Sequence, residues 1–286
     1  MLTDLLRLAR PQDWIKNVFV LAPLPFALKA GSQFEAVPFL LGLVGFCLIN
    51  SVIYTLNDWC DAAADRLHPR KCRRPLAAGI VPGYAAVAQM LLLAPIGTAL
   101  VAASGKPGTV LVVPLYVAFN IAYNLGAKHV ALLDVFLLSS GYVLRVLLGC
   151  VLVSAYPSPW LLLCTSSLAL FLGFTKRRAD LTEELDLDHR PSLRGYSKAF
   201  LDQAVSICAG VTLLAYSLYC IEAKVLLPGR EMASMPFVAY GILNYLRIAD
   251  VEGVGGSPVD IAYHSLTTQI CGIGWIVAVT WSLGRW

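Results

Sequence analysis

The sequence has few charged residues. Only 14% of its 286 residues are Asp, Glu, Lys or Arg, whereas a soluble globular domain carries about 25%. Hydrophobic residues make up 58% of the chain. This composition excludes an ordinary water-soluble domain and indicates a chain that is surrounded by lipid.

Other features are also missing. The eight cysteines form no CxxC pair and no metal-type spacing, so we interpret them as small packing residues in reducing surroundings rather than as a disulfide or zinc framework. The first residues contain no short apolar run that a small-residue cleavage site follows. We therefore expect no signal peptide, and the first helix is predicted to remain in the mature protein.

Long apolar stretches occupy most of the chain. A helix needs about 20 mainly apolar residues to cross the hydrocarbon core of a bilayer. Such stretches lie at 14–31, 36–57, 82–104, 109–126, 131–152, 158–176, 199–221, 233–248 and 264–284. The sequence therefore predicts an all-α protein: a polytopic bundle of about nine transmembrane helices, in a single domain over residues 1–286.

The basic residues are distributed unevenly between alternate loops. With a cytoplasmic N-terminus, sixteen of the 22 Lys and Arg residues lie on the inner side, as the positive-inside rule requires. This predicts an integral protein of the cell (inner) membrane whose C-terminus is outside. Because membrane topology alone explains the basic loops, the net charge of +4 does not indicate a nucleic-acid partner.

Three aspartates follow the second apolar stretch. Asp58, Asp61 and Asp65 recur at i, i+3 and i+7, so a continuing helix places them on one face, with Asn57 at its edge. Clustered carboxylates repel one another unless a cation lies between them, and oxygen ligands suit Mg²⁺. We therefore predict that the three carboxylates bind Mg²⁺, and that Asp58 and Asp61 are catalytic.

Basic residues come directly after these aspartates. Arg66, Lys71 and Arg74 are suited to phosphate oxygens, so the segment predicts a site for a magnesium-bound diphosphate. The alternative is a solvated helix end with a stop-transfer cluster. That alternative leaves the aspartates unexplained, because Asp is a poor helix former and basic residues alone stop transfer.

Several motifs resemble one family. NDWCDAAAD resembles the NDxxDxxxD signature of the UbiA superfamily of membrane prenyltransferases. The chain is also similar to its polyprenyl-phosphate (decaprenyl-phosphate) phosphoribosyltransferase branch, which shares RPxxWxKN and HPxKxxRPxAxG. In this chain these motifs begin at Arg10 and His68, and further similarity covers 123–145, 176–180 and 190–197.

The resemblance implies a helical bundle around a cytoplasm-facing cavity, with Mg²⁺ as cofactor. It also implies transfer of phosphoribose from phosphoribosyl diphosphate to a polyprenyl phosphate. Residues 58–81 and 177–198 are predicted to form the polar site. Candidate substrate-binding residues are Lys16, Asn17, Asn57, Arg66, Lys71, Arg74, Tyr123, Asn124, Lys128, Asp134, Lys176, Arg177, Arg178, Asp180, Arg194 and Tyr196.

Some alternatives stay open. UbiA enzymes typically carry a second DxxxD motif, but this chain has only DxxxE at Asp180 and Glu184, so the loop resembles a phosphate clamp more than a second metal site. Tyr123 and Lys128 are equally well explained as residues of the membrane interface. Arg145, inside the fifth stretch, is predicted to hold either a carbonyl or a buried carboxylate.

Two other functions are compatible with the sequence. One is an ordinary UbiA prenyltransferase, in which the diphosphate belongs to a prenyl donor and the acceptor is an aromatic ring. The other is a non-catalytic lipid transporter or scaffold. A homo-oligomer is also compatible with the sequence.

Overall fold

The computed structural model describes residues 2–31, 34–67, 71–182, 191–251, 261 and 264–284. Every regular element in this part of the chain is a helix, which confirms the all-α prediction. The α-helices are α1 (Leu2–Ala9), α2 (Val18–Leu21), α3 (Leu24–Lys29), α4 (Ala36–Leu67), α5 (Gly83–Ala103), α6 (Thr109–Asn124), α7 (Leu133–Leu152), α8 (Pro159–Thr182), α9 (Lys198–Glu222), α10 (Met235–Val251) and α11 (Leu266–Ser282). Short 3₁₀ helices cover Pro11–Asn17, Lys71–Arg73, Ala127–His129 and Pro191–Gly195.

Most of the predicted apolar stretches form one helix each. The first does not, because a 3₁₀ helix, α2 and α3 divide it. Within the described residues, α4, α5, α7, α8 and α9 are long and apolar enough to cross a membrane, and α6 and α11 are shorter apolar helices. The chain is thus an integral membrane protein, and the count of nine crossings stays a prediction.

Two helix ends extend further than the sequence suggested. α4 continues to Leu67 and so carries all three aspartates. α8 continues to Thr182, so the basic residues at 176–178 lie on a helix. The predicted polar loops 58–81 and 177–198 therefore both begin with helical residues.

Contacts within the chain group the residues into two compact units. The first unit comprises Met1–Leu24, Ser32–Ala127 and Leu144–Ala155. In it, α4 and α5 cross at two glycines: a Cβ atom on Gly45 would lie 2.6 Å from the carbonyl oxygen of Gly97, and one on Gly97 would lie 2.9 Å from that of Gly45. Small residues allow such close backbone approach between membrane helices.

The second unit comprises Pro25–Gly31, Lys128–Val143 and Tyr156–Trp286. Its core is built mainly from α8, α9 and α10, with Phe171, Leu201 and Ile242 among its buried side chains. α9 begins at Ser197, whose hydroxyl accepts a hydrogen bond from the backbone N–H of Phe200 at 3.2 Å. Such a cap satisfies an amide that the first helical turn leaves unpaired.

Candidate active site

The end of α4 carries two buried carboxylates. Asp58 and Asp65 are only 2% and 3% exposed, and Asp61 is partly exposed. Since Asp58 and Asp65 are separated by seven residues, nearly two helical turns, they lie on the same face of α4. Buried carboxylates have to be paired or neutralised.

One arginine contacts both of them. The Nη1 atom of Arg74 lies 2.9 Å from Oδ1 of Asp58 and 2.6 Å from Oδ2 of Asp65. The short 3₁₀ helix Lys71–Arg73 precedes Arg74, whose backbone N–H donates to the carbonyl oxygen of Lys71 at 2.9 Å. Lys71 itself lies 3.9 Å from Asp65. The two carboxylates therefore converge on one cationic group.

Arg10 is a second cation at this site. Its Nε donates to Oδ2 of Asp58 at 3.1 Å and its Nη2 donates to Oδ1 at 2.6 Å, which is the two-pronged geometry that makes arginine–carboxylate pairs strong. The backbone of Arg10 is left-handed, with φ 50° and ψ 54°. An L-residue adopts this conformation at a cost of about 1–2 kcal/mol.

The N-terminal 3₁₀ helix, Pro11–Asn17, holds Arg10 in this position. Trp14 donates from Nε1 to the hydroxyl of Ser51 at 3.0 Å, and Asn17 donates from Nδ2 to the sulfur of Cys47 at 3.1 Å. Because positions 10, 14 and 17 contact positions 58, 51 and 47, the 3₁₀ helix runs antiparallel to α4. The sequence predicted Arg10 only as part of a motif, and did not predict Trp14, Ser51 or Cys47 as partners.

The carboxylate pair fits a divalent cation. Within the described residues, no three His, Cys, Asp or Glu side chains come together as a metal-binding group. Asp58 and Asp65 nevertheless already share one cationic nitrogen, and their oxygen atoms are the donors that Mg²⁺ prefers. The arginine thus stands where a metal ion could bind. Magnesium itself, and the contribution of Asp61, stay predictions.

Two other predicted substrate ligands lie on the N-terminal 3₁₀ helix. Lys16 pairs with Asp13 at 2.7 Å and lies over the ring of Tyr54, 5.3 Å from its centroid. Asn17 is 3% exposed, and its Oδ1 accepts from Nε of Arg145 at 2.9 Å. The side chain of Asn17 is therefore engaged inside the first unit.

The remaining predicted ligands of the first unit lie near helix ends. Arg66, on the last turn of α4, donates to the carbonyl oxygen of Ala77 at 3.3 Å. Asn57 and Tyr123 are partly exposed. The Oδ1 atom of Asn124 is buried and has no hydrogen-bond partner in the described part of the chain, so the predicted role of Asn124 stays a prediction.

A buried polar cluster surrounds Arg145 on α7. Its Nη2 donates to Oδ1 of Asn50 at 2.8 Å and to the hydroxyl of Tyr116 at 3.0 Å, and Tyr116 donates to the same Asn50 oxygen at 2.6 Å. These partners are amide and phenol oxygens. The sequence analysis missed Asn50 and Tyr116, although an amide in the middle of an apolar span is a signal that could have identified Asn50.

A second buried ionic cluster lies in the second unit. Arg177 and Asp134 are both fully buried, and Nε of Arg177 lies 2.9 Å from Oδ2 of Asp134. Nη1 of Arg177 also lies 2.5 Å from Asp180. The sequence predicted Asp134, Arg177 and Asp180 as substrate ligands. In the structure, Arg177 instead pairs with the two aspartates.

Tyr196 completes this cluster from outside the spanning helices. Its hydroxyl donates to Oδ1 of Asp134 at 2.7 Å, and the backbone N–H of Leu132 donates to that hydroxyl at 2.6 Å. Burial, and secondarily the hydrogen bond to Asp134, raise the pKa of Tyr196 above its usual value. Tyr196 is therefore neutral near pH 7 and acts here as a hydrogen-bond donor.

The other predicted cations of the second unit are more accessible. Arg178 bridges Asp202 and Asp250 with its guanidinium group. Lys128 and Lys176 are partly exposed, and Arg194 is exposed. Glu184 lies outside the described residues, so the predicted DxxxE motif is described only at Asp180.

Comparisons with known proteins agree with the fold and with the motifs. A protein of Mycobacterium tuberculosis named decaprenyl-phosphate phosphoribosyltransferase is 33% identical over 288 residues, which cover 98% of this chain and 94% of that protein. A protein of Corynebacterium glutamicum with the same name is 32% identical and covers 96% of this chain and 85% of its own length.

Solved structures show the same fold. The structure of a UbiA homologue from Archaeoglobus fulgidus bound to GPP and Mg²⁺ has a TM-score of 0.72 and 19% sequence identity, over 98% of both chains. The model of the UbiA prenyltransferase family matches residues 17–251. Because the match covers most of the chain, and the curated relatives cover nearly all of it, this protein is an enzyme that belongs to the UbiA prenyltransferase family.

Proposed function

We propose that the protein transfers 5-phosphoribose from phosphoribosyl diphosphate to a polyprenyl phosphate such as decaprenyl phosphate, releasing diphosphate in a Mg²⁺-dependent reaction. One observation carries the proposal: two buried carboxylates, Asp58 and Asp65, converge on a single cationic group beside further basic residues. The names of the relatives from Mycobacterium tuberculosis and Corynebacterium glutamicum support the choice of substrates.

The carboxylates of α4 hold the metal in this proposal. Asp58 and Asp65 are its ligands, and Asp61 joins them directly or through water. When bound, Mg²⁺ neutralises charge on the departing diphosphate. The assignment of Asp58 and Asp61 to catalysis stays the prediction made from the sequence motif.

The basic residues bind phosphate oxygens. Arg10, Lys71 and Arg74 already lie within 4 Å of the carboxylates, and all three are partly exposed. A guanidinium that pairs with a carboxylate has the geometry to pair equally with a phosphate. We therefore expect Arg10 and Arg74 to turn from the aspartates to the diphosphate when the substrate binds.

The acceptor needs no general base. A phosphate monoester is already ionised near pH 7, so one of its oxygen atoms can form the new bond to C1 of the ribose as the bond from C1 to the diphosphate oxygen breaks. The site then has to bind and orient two anionic groups. Cations such as Lys16, Lys128, Arg178 and Arg194 are the further candidates for this task.

The arrangement in the membrane belongs to the same proposal. We propose nine crossings, a cytoplasmic N-terminus and active site, and a C-terminus outside, because the basic residues then follow the positive-inside rule. That residues 58–81 and 177–198 act on one substrate, that Arg177 and Asp134 contact substrate, and that the protein forms homo-oligomers stay predictions.

A substrate assay on the purified protein tests the proposal. With labelled phosphoribosyl diphosphate, polyprenyl phosphate and Mg²⁺, we expect label in the lipid fraction, and chelation of Mg²⁺ should remove it. Asp58→Asn should abolish the transfer. Glu35→Gln is the matched control, since Glu35 is an exposed carboxylate of the same unit that pairs with Lys106.

Two results would favour the other functions. Transfer of a labelled prenyl group to 4-hydroxybenzoate, without phosphoribose transfer, would indicate an ordinary UbiA prenyltransferase. Absence of both reactions, with lipid binding that neither Asp58→Asn nor chelation changes, would indicate a transporter or scaffold.

A further inference from the structure

Arg145 is a buried cation within α7 that the proposed reaction does not use. Its residue is 5% exposed, and α7 is one of the helices that are long and apolar enough to cross a membrane. A charged side chain is costly to bury inside a spanning helix, and such residues are usually functional. We therefore expect Arg145 to contribute more than packing.

The guanidinium group of Arg145 contacts several parts of the first unit. Its Nε donates to Oδ1 of Asn17 at 2.9 Å, and its Nη2 donates to Oδ1 of Asn50 at 2.8 Å and to the hydroxyl of Tyr116 at 3.0 Å. Asn50 and Tyr116 lie on α4 and α6, whereas Asn17 is the last residue of the N-terminal 3₁₀ helix. One side chain thus joins that 3₁₀ helix to α4, α6 and α7.

The N-terminal 3₁₀ helix depends on such contacts. It spans seven residues, Pro11–Asn17, whereas 3₁₀ runs longer than about four residues are uncommon because their hydrogen bonds are poorly aligned. The residue before it, Arg10, has a left-handed backbone, and surrounding contacts have to maintain a strained conformation of this kind. The position of this segment is therefore set by the side chains that anchor it.

Asn17 anchors the end of this 3₁₀ helix through both ends of its amide group. Its Nδ2 donates to the sulfur of Cys47 at 3.1 Å, but a thiol sulfur is a weak acceptor. Its Oδ1 accepts from Arg145, and a hydrogen bond from an ionised donor is roughly twice as strong as one between neutral groups. Arg145 is therefore the stronger of these two anchors.

The opposite end of the same segment carries a cation of the candidate active site. Arg10 precedes Pro11 and donates to Asp58 from Nε and Nη2. A 3₁₀ helix rises about 2 Å per residue, so Asn17 lies about 14 Å from Arg10 along the axis. If the contact at Asn17 is lost, the segment can shift along α4, and Arg10 moves with it.

We propose that Arg145 is a positioning residue for the diphosphate of the donor substrate. Through Asn17, it fixes the N-terminal 3₁₀ helix on α4 and thereby places Arg10 at the candidate site. The inference rests on the proposed function, in which Arg10 turns from Asp58 to the diphosphate of phosphoribosyl diphosphate. Arg145 acts on the substrate only through this segment.

Two variants separate this role from packing. Arg145→Lys keeps the charge, but an ammonium group is a single point and lacks the planar fork that reaches Asn17 and Asn50 with different nitrogen atoms. Tyr116→Phe removes another hydrogen bond of Arg145 and leaves the one to Asn17 in place. Both variants weaken the same buried cluster, but only Arg145→Lys releases the 3₁₀ helix.

Hydrogen exchange measures this release without an assay of activity, because the amides of a segment that opens more often exchange faster. Peptides that cover residues 10–18 should exchange about tenfold faster in Arg145→Lys than in the wild type, since the loss of one charge-assisted hydrogen bond changes an equilibrium by about this factor. In Tyr116→Phe they should exchange at the wild-type rate. Peptides of α9, in the second unit, are the internal reference. An equal rise at α9 would indicate general destabilisation and would contradict the proposal.

A double-mutant cycle tests whether the effect reaches the substrate through Arg10. In the proposed reaction, Arg145→Lys should raise the KM for phosphoribosyl diphosphate about tenfold, and Tyr116→Phe should leave it unchanged. In an Arg10→Lys background, Arg145→Lys should raise this KM by less than about twofold, because residues that act through one another are not additive. The same factor in both backgrounds would overturn the proposal.

The exchange and kinetic results can fail independently. Unchanged exchange at residues 10–18 in Arg145→Lys would overturn the positioning role even if the protein is active. Absence of phosphoribose transfer in the wild type would contradict the proposed function, and exchange would still decide whether Arg145 anchors the segment. If Arg145→Lys does not fold, which size-exclusion chromatography would show, Asn17→Ala takes its place in both experiments, because it removes the acceptor of the same hydrogen bond.

Discussion

Arg74 contacts both buried carboxylates of α4, whereas, of these two, Arg10 contacts only Asp58 and Lys71 lies near only Asp65. The side chain of Arg74 is 25% exposed, whereas those of Asp58 and Asp65 are 1% and 4% exposed. The carboxylates are therefore fixed and the arginine is the part that is free to move. The same guanidinium can stabilise the metal-free site and later bind a phosphate.

Replacing Arg74 tests whether the carboxylates bind metal. Arg74→Ala leaves buried negative charge with less compensation, which typically destabilises a protein by about 3 kcal/mol. We expect a lower thermal midpoint without metal, and a larger rise in that midpoint on adding Mg²⁺ than the wild type shows. Arg66→Ala is the matched control, because Arg66 contacts a backbone carbonyl. A rise no larger than that of the wild type would argue against a metal at Asp58 and Asp65.

Arg177 and Arg178 are adjacent in the sequence but differ in how deeply they and their partners are buried. As part of a basic segment Arg177 looked like a phosphate ligand, but its side chain is fully buried and paired with Asp134 and Asp180. Its neighbour Arg178 pairs with two carboxylates that are 46% and 63% exposed. Only the structure distinguishes the two, because the sequence gives both the same charge.

The two arginines should therefore respond differently to truncation. Arg177→Ala leaves Asp134 uncompensated, so we expect about 3–5 kcal/mol of destabilisation and a large loss of folded protein. Arg178→Ala breaks ion pairs whose carboxylates are exposed to solvent and should cost about 1 kcal/mol or less. Thermal midpoints and folded yield in one detergent check both values. Comparable midpoints, with substrate binding lost only in Arg177→Ala, would support the prediction that Arg177 is a phosphate ligand.

At the scale of elements, α4 organises the first unit. It carries the aspartates, packs on α5 through Gly45 and Gly97, and supports the N-terminal 3₁₀ helix through Ser51 and Cys47. The spacing of Asp58 and Asp65 was sufficient to predict that they share a face. The pairing of Arg10 with Asp58 was not predictable, because it joins residues 48 positions apart and depends on a left-handed turn.

The close crossing of α4 and α5 predicts that enlarging Gly45 destabilises the protein. Gly45→Ala would place a methyl group against the backbone of α5, and overpacking of this kind costs about 1–3 kcal/mol. Gly210→Ala meets open space and should be neutral or stabilising by up to about 1 kcal/mol, because Ala favours helices more than Gly does. Thermal midpoints of the two variants, compared with the wild type, check this. Equal midpoints for the two would show that the α4–α5 crossing tolerates a larger separation.

For the whole molecule, composition and hydropathy were enough to predict an all-helical membrane protein, and the motifs were enough to predict its family. Hydropathy alone did not determine the number of membrane crossings. Hydropathy cannot distinguish one helix from the 3₁₀ helix, α2 and α3 that occupy residues 11–29. It also cannot decide whether a 16-residue helix such as α6 crosses alone, since a crossing needs about 17–25 residues.

Reporter fusions test the predicted topology. Alkaline phosphatase is active only outside the cytoplasm, so fusions after Lys106, after Gly229 and at the C-terminus should be active. Fusions after Arg73, Lys128, Gly195 and Arg247 should be inactive, because the positive-inside rule places these positions on the cytoplasmic side. The pair at Lys106 and Lys128 tests whether α6 crosses, and the fusions after Arg247 and at the C-terminus test α11 in the same way. Activity after Lys128, or equal activity at both positions of a pair, would contradict the nine-crossing arrangement. Activity after Arg73 would remove the cytoplasmic assignment of the aspartates.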